Sequence, residues 1–255
     1  MGDYERFSPA AYLYEYYSSI SDGEIDDVMK FYSENVGVLQ HCHDVVEIGG
    51  GPTIYQLIPI APLCDRIVFG DYLPANLDEV RRWASNAPGS RDWSAYTARS
   101  LQHENKDYGP EAVKARENAL RGKLASFVHC DALKSDPIGE QYRHSFDLVS
   151  SHYVAESITR SKQDWQRVMD NILSLVKRQG YICMSFITGA DRWLLADEWY
   201  PACKLTEDDV ATYLRDHGFE ILKLGHIPAA VSDPNADEFY GYTGLLCLYA
   251  KSERR

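Results

Sequence analysis

Short apolar runs rich in β-branched residues recur along the chain. Each ends in a turn signal and is followed by apolar positions at helical spacing. The first is Val45-Val46-Glu47-Ile48, closed by Gly49-Gly50-Gly51, with a helix expected from Thr53. The second, Ile67 to Phe69, ends at Gly70-Asp71 and precedes a predicted helix from Leu73 to Asn86, with Leu77, Val80 and Ala84 on one face. Further strands are expected at Ala125–His129, Phe146–Ser150, Tyr181–Ile187, Ile221–Gly225 and Gly244–Ala250. Ser161 to Val176 reads as an amphipathic helix stopped by Gln179-Gly180, with Trp165, Val168, Met169, Ile172 and Leu175 on one stripe. Glu207 to His217 is a helix closed by Gly218. Strands alternating with helices predict an α/β fold, a mostly parallel sheet covered on both faces.

Two segments depart from that alternation. Residues 1–40 are rich in tyrosine, and 88–124 is long and polar, with its own helix near Glu111–Arg121. Additions to such a sheet tend to lie over the carboxyl ends of the strands, where ligands bind. The chain, 1–255, is read as one domain with 1–40 as an N-terminal lid and 88–124 as an insertion. Lys251 to Arg255 reads as a frayed tail.

The net charge of -12 argues against a duplex nucleic-acid binder, which needs basic patches against phosphate. The amino-terminal residues lack the charged and apolar regions of a signal peptide, and no apolar run is long enough for a membrane span. A cytoplasmic protein is therefore expected, as a monomer or weak homodimer. The six cysteines are scattered without a CxxC pair and read as reduced thiols. His41-Cys42-His43 cannot by itself close a tetrahedral site and no further ligand pair is obvious, so no metal is expected.

Candidate chemistry begins at Gly49-Gly50-Gly51-Pro52-Thr53. Glycines directly after a strand let a cofactor approach the backbone, although a tight turn would use them too. The spacing is not G-x-G-x-x-G and no phosphate-cradling lysine follows, which favours a cofactor without phosphates. Asp71, about 20 residues on, could accept hydrogen bonds from a ribose diol, or cap the next helix. Asp131, after the third strand, could accept an adenine amino group or simply close a turn.

These residues sit inside longer matches. Glu47-Ile-Gly-Gly-Gly-Pro-Thr-Ile-Tyr-Gln56, Phe7-Ser-Pro-Ala-Ala-Tyr12-Leu-Tyr-Glu-Tyr16-Tyr17, Gly70-Asp71-Tyr72 with Asn76-Leu77, Asp92-Trp93-Ser94, Cys130-Asp131 and Gly244-Leu-Leu occur in this order. Together they resemble the nicotinamide/phenylethanolamine/indolethylamine N-methyltransferase family. The resemblance implies a Rossmann-like class I methyltransferase, with a seven-stranded sheet whose last strand is antiparallel, and S-adenosylmethionine (SAM) as cofactor. It places Tyr12 and Tyr17 in the lid over cofactor and substrate. Gly49 and Gly51 would back the methionine part of SAM, and Thr53 and Tyr55 would hold its amino-acid end. Asp71, Tyr72 and Asn76 fall at the ribose, Asp131 and Ala132 at the adenine, and Ser151 near the cofactor.

Methyl transfer from a sulfonium needs alignment more than acid–base help, and aromatic faces such as those of Tyr4, Tyr12, Tyr14, Tyr16 and Tyr17 attract a cation. The same spacing would also suit a core helix face. An ammonium acceptor must first lose a proton, for which His152 and Glu156 are candidates beside Tyr17. Phe186, Arg192 and Trp193 are expected at the substrate wall, with Arg192 either matching a carboxylate or lying on the surface. Relatives acting on a pyridine carboxamide carry an acidic residue where this chain has Phe186, which argues against nicotinamide. The expected activity is methylation of a small amine or nitrogen heterocycle. Methylation of O, S or C, attack on the aminobutyrate carbon, and non-catalytic SAM binding are the alternatives.

Overall fold

The structure is a computed structural model that describes residues 4, 6–20, 23–231 and 241–253. Arg254 and Arg255, the end of the expected tail, lie outside the described residues.

Two helices, α1 (Pro9–Tyr17) and α2 (Glu24–Asn35), precede the first strand. Ser8 caps α1 by accepting a hydrogen bond from Ala11 N at 3.3 Å, and Pro9 fits its first turn. Then come β1 (Cys42–Ile48), β2 (Cys64–Asp71), α3 (Pro74–Ala84), α4 (Ser94–His103), α5 (Pro110–Lys123), β3 (Leu124–His129) and β4 (Phe146–His152). The chain continues through α6 (Lys162–Leu173), β5 (Val176–Thr188), β6 (Arg192–Leu195), β7 (Glu198–Pro201), α7 (Glu207–Asp216), β8 (Phe219–Pro228) and β9 (Gly244–Ser252).

Seven strands form one sheet in the order β3-β2-β1-β4-β5-β9-β8. β9 runs antiparallel to both neighbours, and the remaining strands are parallel. The inner strands β2, β1, β4, β5 and β9 are mostly buried on both faces, which is why they read as near-continuous apolar runs, while the edge strands β3 and β8 are only half-buried. One face packs Val45, Ile67, Phe69 and Leu148 against α2, α3 and α4. The other packs Val46, Val68, Val149 and Ile182 against Trp165, Val168 and Met169 of α6 and Val210 and Leu214 of α7. β6 and β7 form a separate hairpin. Among the described residues no helix is long and apolar enough to cross a membrane.

Three expectations need correction. No α-helix follows Thr53: the segment forms 3-10 turns at Tyr55–Leu57 and Ala61–Leu63, because Pro59 and Pro62 remove amide donors. α6 ends at Leu173, and Val176 already pairs with Phe146. Gln179, at φ 59°, turns the chain within β5 rather than ending the helix. The carboxyl terminus is not frayed at Lys251 and Ser252, which pair with β5 and β8, while Glu253 N donates to Gly218 O at 2.8 Å.

Candidate active site

In the parallel part of the sheet, strand order reverses between β1 and β4, and a crevice opens beyond the carboxyl ends of these strands. Gly49 and Gly51 leave β1 at φ 67° and 60°, a backbone region that side-chain-bearing residues rarely adopt. A Cβ on Gly49 would lie 2.5 Å from Val154 Cγ2, whereas above Gly51 the space is open.

Asp71 ends β2 as a buried carboxylate. Its Oδ1 accepts from Leu73 N at 2.8 Å and Asn76 Nδ2 at 2.9 Å, and its Oδ2 accepts from Gly51 N at 2.8 Å. Burial raises its pKa above the ordinary value, against the pull of these donors. One acidic side chain thus fixes the glycine turn and the start of α3 together. Buried Asn76 Oδ1 has no hydrogen-bond partner among the described residues, which leaves an acceptor for a ligand hydroxyl.

Gly49, Gly51, Asp71, Tyr72, Asn76, Ala132 and His152 line this crevice of about 130 Å³ together, with Tyr12 and Trp193 at its outer wall. Its described lining holds no lysine or arginine. Acceptors at the ribose position, open glycine backbone and aromatic walls fit SAM, a cation without phosphates.

A second cavity of about 400 Å³ adjoins it, lined by Tyr12, Tyr16, Tyr17, Tyr242, Glu24 and Arg192 among others. Tyr12, Tyr153, Ser157 and Trp193 border both spaces. Tyr12 stands at the centre of an aromatic cluster, with ring centroids 5.3 Å from Phe7, 5.2 Å from Tyr16, 5.4 Å from Tyr17 and 6.4 Å from Trp193. Burial holds the Tyr12 and Tyr17 phenols well above their ordinary pKa, so both remain neutral. The lid is tied down by Tyr96 OH of α4 donating to Tyr17 O at 2.9 Å and by Tyr16 OH donating to Leu194 O on the hairpin. Tyr14 points away, 79% exposed.

Other expected site residues lie behind these walls. Thr53 Oγ1 donates to Gly50 O at 2.9 Å, and the Tyr55 ring packs 5.3 Å from Tyr17, so both shape the turn and lid from below. Ser151 Oγ donates to Ile48 O at 3.0 Å. Asp131 accepts from Leu133 N at 3.1 Å, while its neighbours Cys130 and Ala132 face the crevice.

His152 borders the crevice but is pinned between Ser150 Oγ at 3.0 Å and Ser185 Oγ at 2.8 Å. Burial pushes its pKa down to about 3, too low for an effective base at neutral pH. Glu156 is fully buried, accepts from Ile187 N at 2.8 Å and borders neither cavity. Burial raises its pKa to about 8. Phe186 packs into the core 6.2 Å from Trp165, because strand alternation turns Ile187, not Phe186, toward the cavity. Arg192 borders the outer cavity with its guanidinium 4.4 Å from the Trp199 ring centroid.

Sequence reading missed Tyr153, Glu24 and Tyr242. Tyr153 follows β4 at φ 58°, and that turn brings its ring between the two cavities. Its place directly after an apolar strand was the one available signal. Glu24 and Tyr242 meet only in three dimensions, with Tyr242 OH donating to Glu24 Oε2 at 2.5 Å.

Residues 2–253 match the model of the NNMT/PNMT/TEMT family. Indolethylamine N-methyltransferase of Mus musculus is 25% identical, the alignment covering 98% of this chain and 94% of the relative. Nicotinamide N-methyltransferase of Homo sapiens is 26% identical with the same coverage of 98% and 94%. Among solved structures, the N-methyltransferase NodS of Bradyrhizobium japonicum WM9 in complex with S-adenosylhomocysteine superposes with a TM-score of 0.52 at 12% identity, over 90% of this chain and 87% of that one. With a glycine turn, buried ribose-side acceptors and a neighbouring aromatic cavity in place, and with the family match spanning nearly its whole length, the chain belongs to the NNMT/PNMT/TEMT family of SAM-dependent methyltransferases.

Proposed function

We propose that this enzyme methylates a nitrogen of a small amine or nitrogen heterocycle seated in the outer aromatic cavity. The observation that carries this reading is the shared wall: Tyr12, Tyr153, Ser157 and Trp193 border the cofactor crevice and the outer cavity alike. The names of the relatives point the same way, since they methylate nitrogen.

Bound SAM supplies an electrophilic methyl group on a sulfonium. Gly49 and Gly51 would let its methionine part lie against the backbone, Asp71 and Asn76 would take the ribose hydroxyls, and Ala132 would face the adenine. Tyr12, Tyr17, Tyr153 and Trp193 exclude water and orient the acceptor lone pair. Holding two reactants in a near-attack pose is worth about 7–11 kcal/mol. Neutral His152 and walled-off Glu156 do not serve as the base for the acceptor. Residues 6–20, which carry α1, act as the lid of a single catalytic domain, while α2 packs against the sheet. Buried, unpaired Cys42, Cys64, Cys130, Cys183, Cys203 and Cys247 suit a reducing compartment such as the cytoplasm.

The test is product analysis by mass spectrometry after incubation with SAM and a pool of amines, azoles, pyridines and amino acids. The expected result is S-adenosylhomocysteine together with one pool member heavier by a methylene unit on nitrogen. Methylthioadenosine above a blank without enzyme would overturn the reading, because SAM would then be opened at its aminobutyrate carbon.

A further inference from the structure

At the opposite edge of the sheet, beyond the amino ends of β1 and β2, three potential metal ligands converge. His41 immediately precedes β1 and His43 is its second residue. With a period of two, both imidazoles project to one side, while the intervening Cys42 is buried on the other. β2 runs parallel beside β1, with Cys42 opposite Cys64 and Asp44 opposite Arg66, so Asp65 comes level with His43. One oxygen of Asp65 lies 3.1 Å from His41 Nε2 and the other 2.6 Å from His43 Nδ1. The three donor atoms fall within 4.8 Å of one another. The histidine rings stand nearly perpendicular, at 81°, with centroids 5.1 Å apart.

The geometry points to a divalent transition-metal site made of two imidazoles and one carboxylate. Tetrahedral zinc with bonds of about 2.0–2.2 Å sets its ligand atoms roughly 3.3 Å apart, against 2.6 and 3.1 Å for the two histidine–carboxylate pairs and at most 4.8 Å across the set here. Reaching it takes only small rotations of side chains that are 51%, 74% and 55% exposed. Their exposure leaves the fourth position to water. Coordination replaces the two histidine–carboxylate hydrogen bonds. Both imidazoles bind neutral, and any proton that they carried passes to solvent. A nitrogen-rich donor set selects zinc, copper or nickel over calcium or magnesium. The six cysteines, all buried, offer no competing thiolate at the surface. The tripeptide alone could not close a tetrahedral site, and with Cys42 turned into the core the parallel neighbour provides a donor from 22 residues beyond His43.

A metal here would staple β1 to β2 without touching the cofactor crevice, so the site is independent of the acceptor proposed above. The test is equilibrium dialysis of the full chain against Zn²⁺, with melting temperature read in parallel. The expected result is one Zn²⁺ per chain and a melting temperature that rises with Zn²⁺. His43→Ala and Asp65→Asn should each weaken binding by at least about 10–100-fold and abolish the thermal shift. Asp65→Asn preserves side-chain size, and unchanged SAM affinity of both variants without metal would show that they are folded. No Zn²⁺ bound by the wild-type chain, or equal binding by the folded variants, would overturn the assignment.

Discussion

His152 shows how far burial can take a side chain from the chemistry its type suggests. It lies beside the crevice, as a histidine ending β4 should, yet two serine hydroxyls saturate its ring and desolvation disfavours its charged form. With an aliphatic amine as acceptor, kcat/KM should therefore rise with pH along the amine's own deprotonation. His152 should add no inflection between pH 5 and 7.5. His152→Gln should leave the shape of this profile unchanged, and an inflection near the ordinary histidine pKa that vanishes in the variant would make His152 the base after all. The glycine turn and Asp71 were legible in the sequence, since strand, turn and helix signals lie within one short stretch, whereas Asn76 followed only from the family resemblance. Phe186 was not, because one residue of register decides which face of β5 a side chain occupies.

Among the elements, the added segments depend on one another. α4, within the insertion, reaches the lid through Tyr96, whose hydroxyl satisfies the last carbonyl of α1. The insertion is itself anchored by Arg116 of α5, which grips Glu104 through two bonds of 2.6 and 2.8 Å and also donates to Ile58 O at 3.0 Å. Burial works against the Glu104 carboxylate, but Arg116 and Lys106 keep its pKa below the ordinary value. Tyr96→Phe should cost about 1 kcal/mol of stability. It should also speed limited proteolysis between α1 and α2, with cleavage elsewhere unchanged. Equal cleavage rates would mean that α4 does not hold the lid. Strands and the helices packed on them could be placed from periodicity, whereas α4, the β6–β7 hairpin and the lid contacts could not. These elements owe their positions to side chains far apart in the chain, as when Tyr4 OH donates to Ser157 O at 2.6 Å.

At the scale of the whole molecule, burial raises the pKa of three interior carboxyl groups among the described residues, Glu47, Asp71 and Glu156. Burial raises Glu47 and Glu156 to about 8, from an ordinary 4.5. Between those values the unfolded chain has lost protons that the folded chain retains, so folding stability falls as pH rises. Each group contributes up to about 1.4 kcal/mol per pH unit in that window. His152 acts oppositely, and only on the acid side: its stabilisation is complete above pH 6.5 and is lost as pH falls toward about 3. The urea midpoint should therefore drop between pH 6.5 and 8. Glu47→Gln should flatten that drop, and an unchanged slope in the variant would show that Glu47 does not carry it.

The antiparallel strand has a further consequence, for biosynthesis. β9 occupies the slot between β5 and β8 and is translated after both. Until it emerges from the ribosome, β5 and β8 cannot be joined as neighbours, and each presents an unpaired edge. Leu245, a wall residue of the outer cavity, arrives with it. The nascent chain can thus assemble the cofactor half of its sheet early, but it gains a closed acceptor chamber only once β9 has emerged.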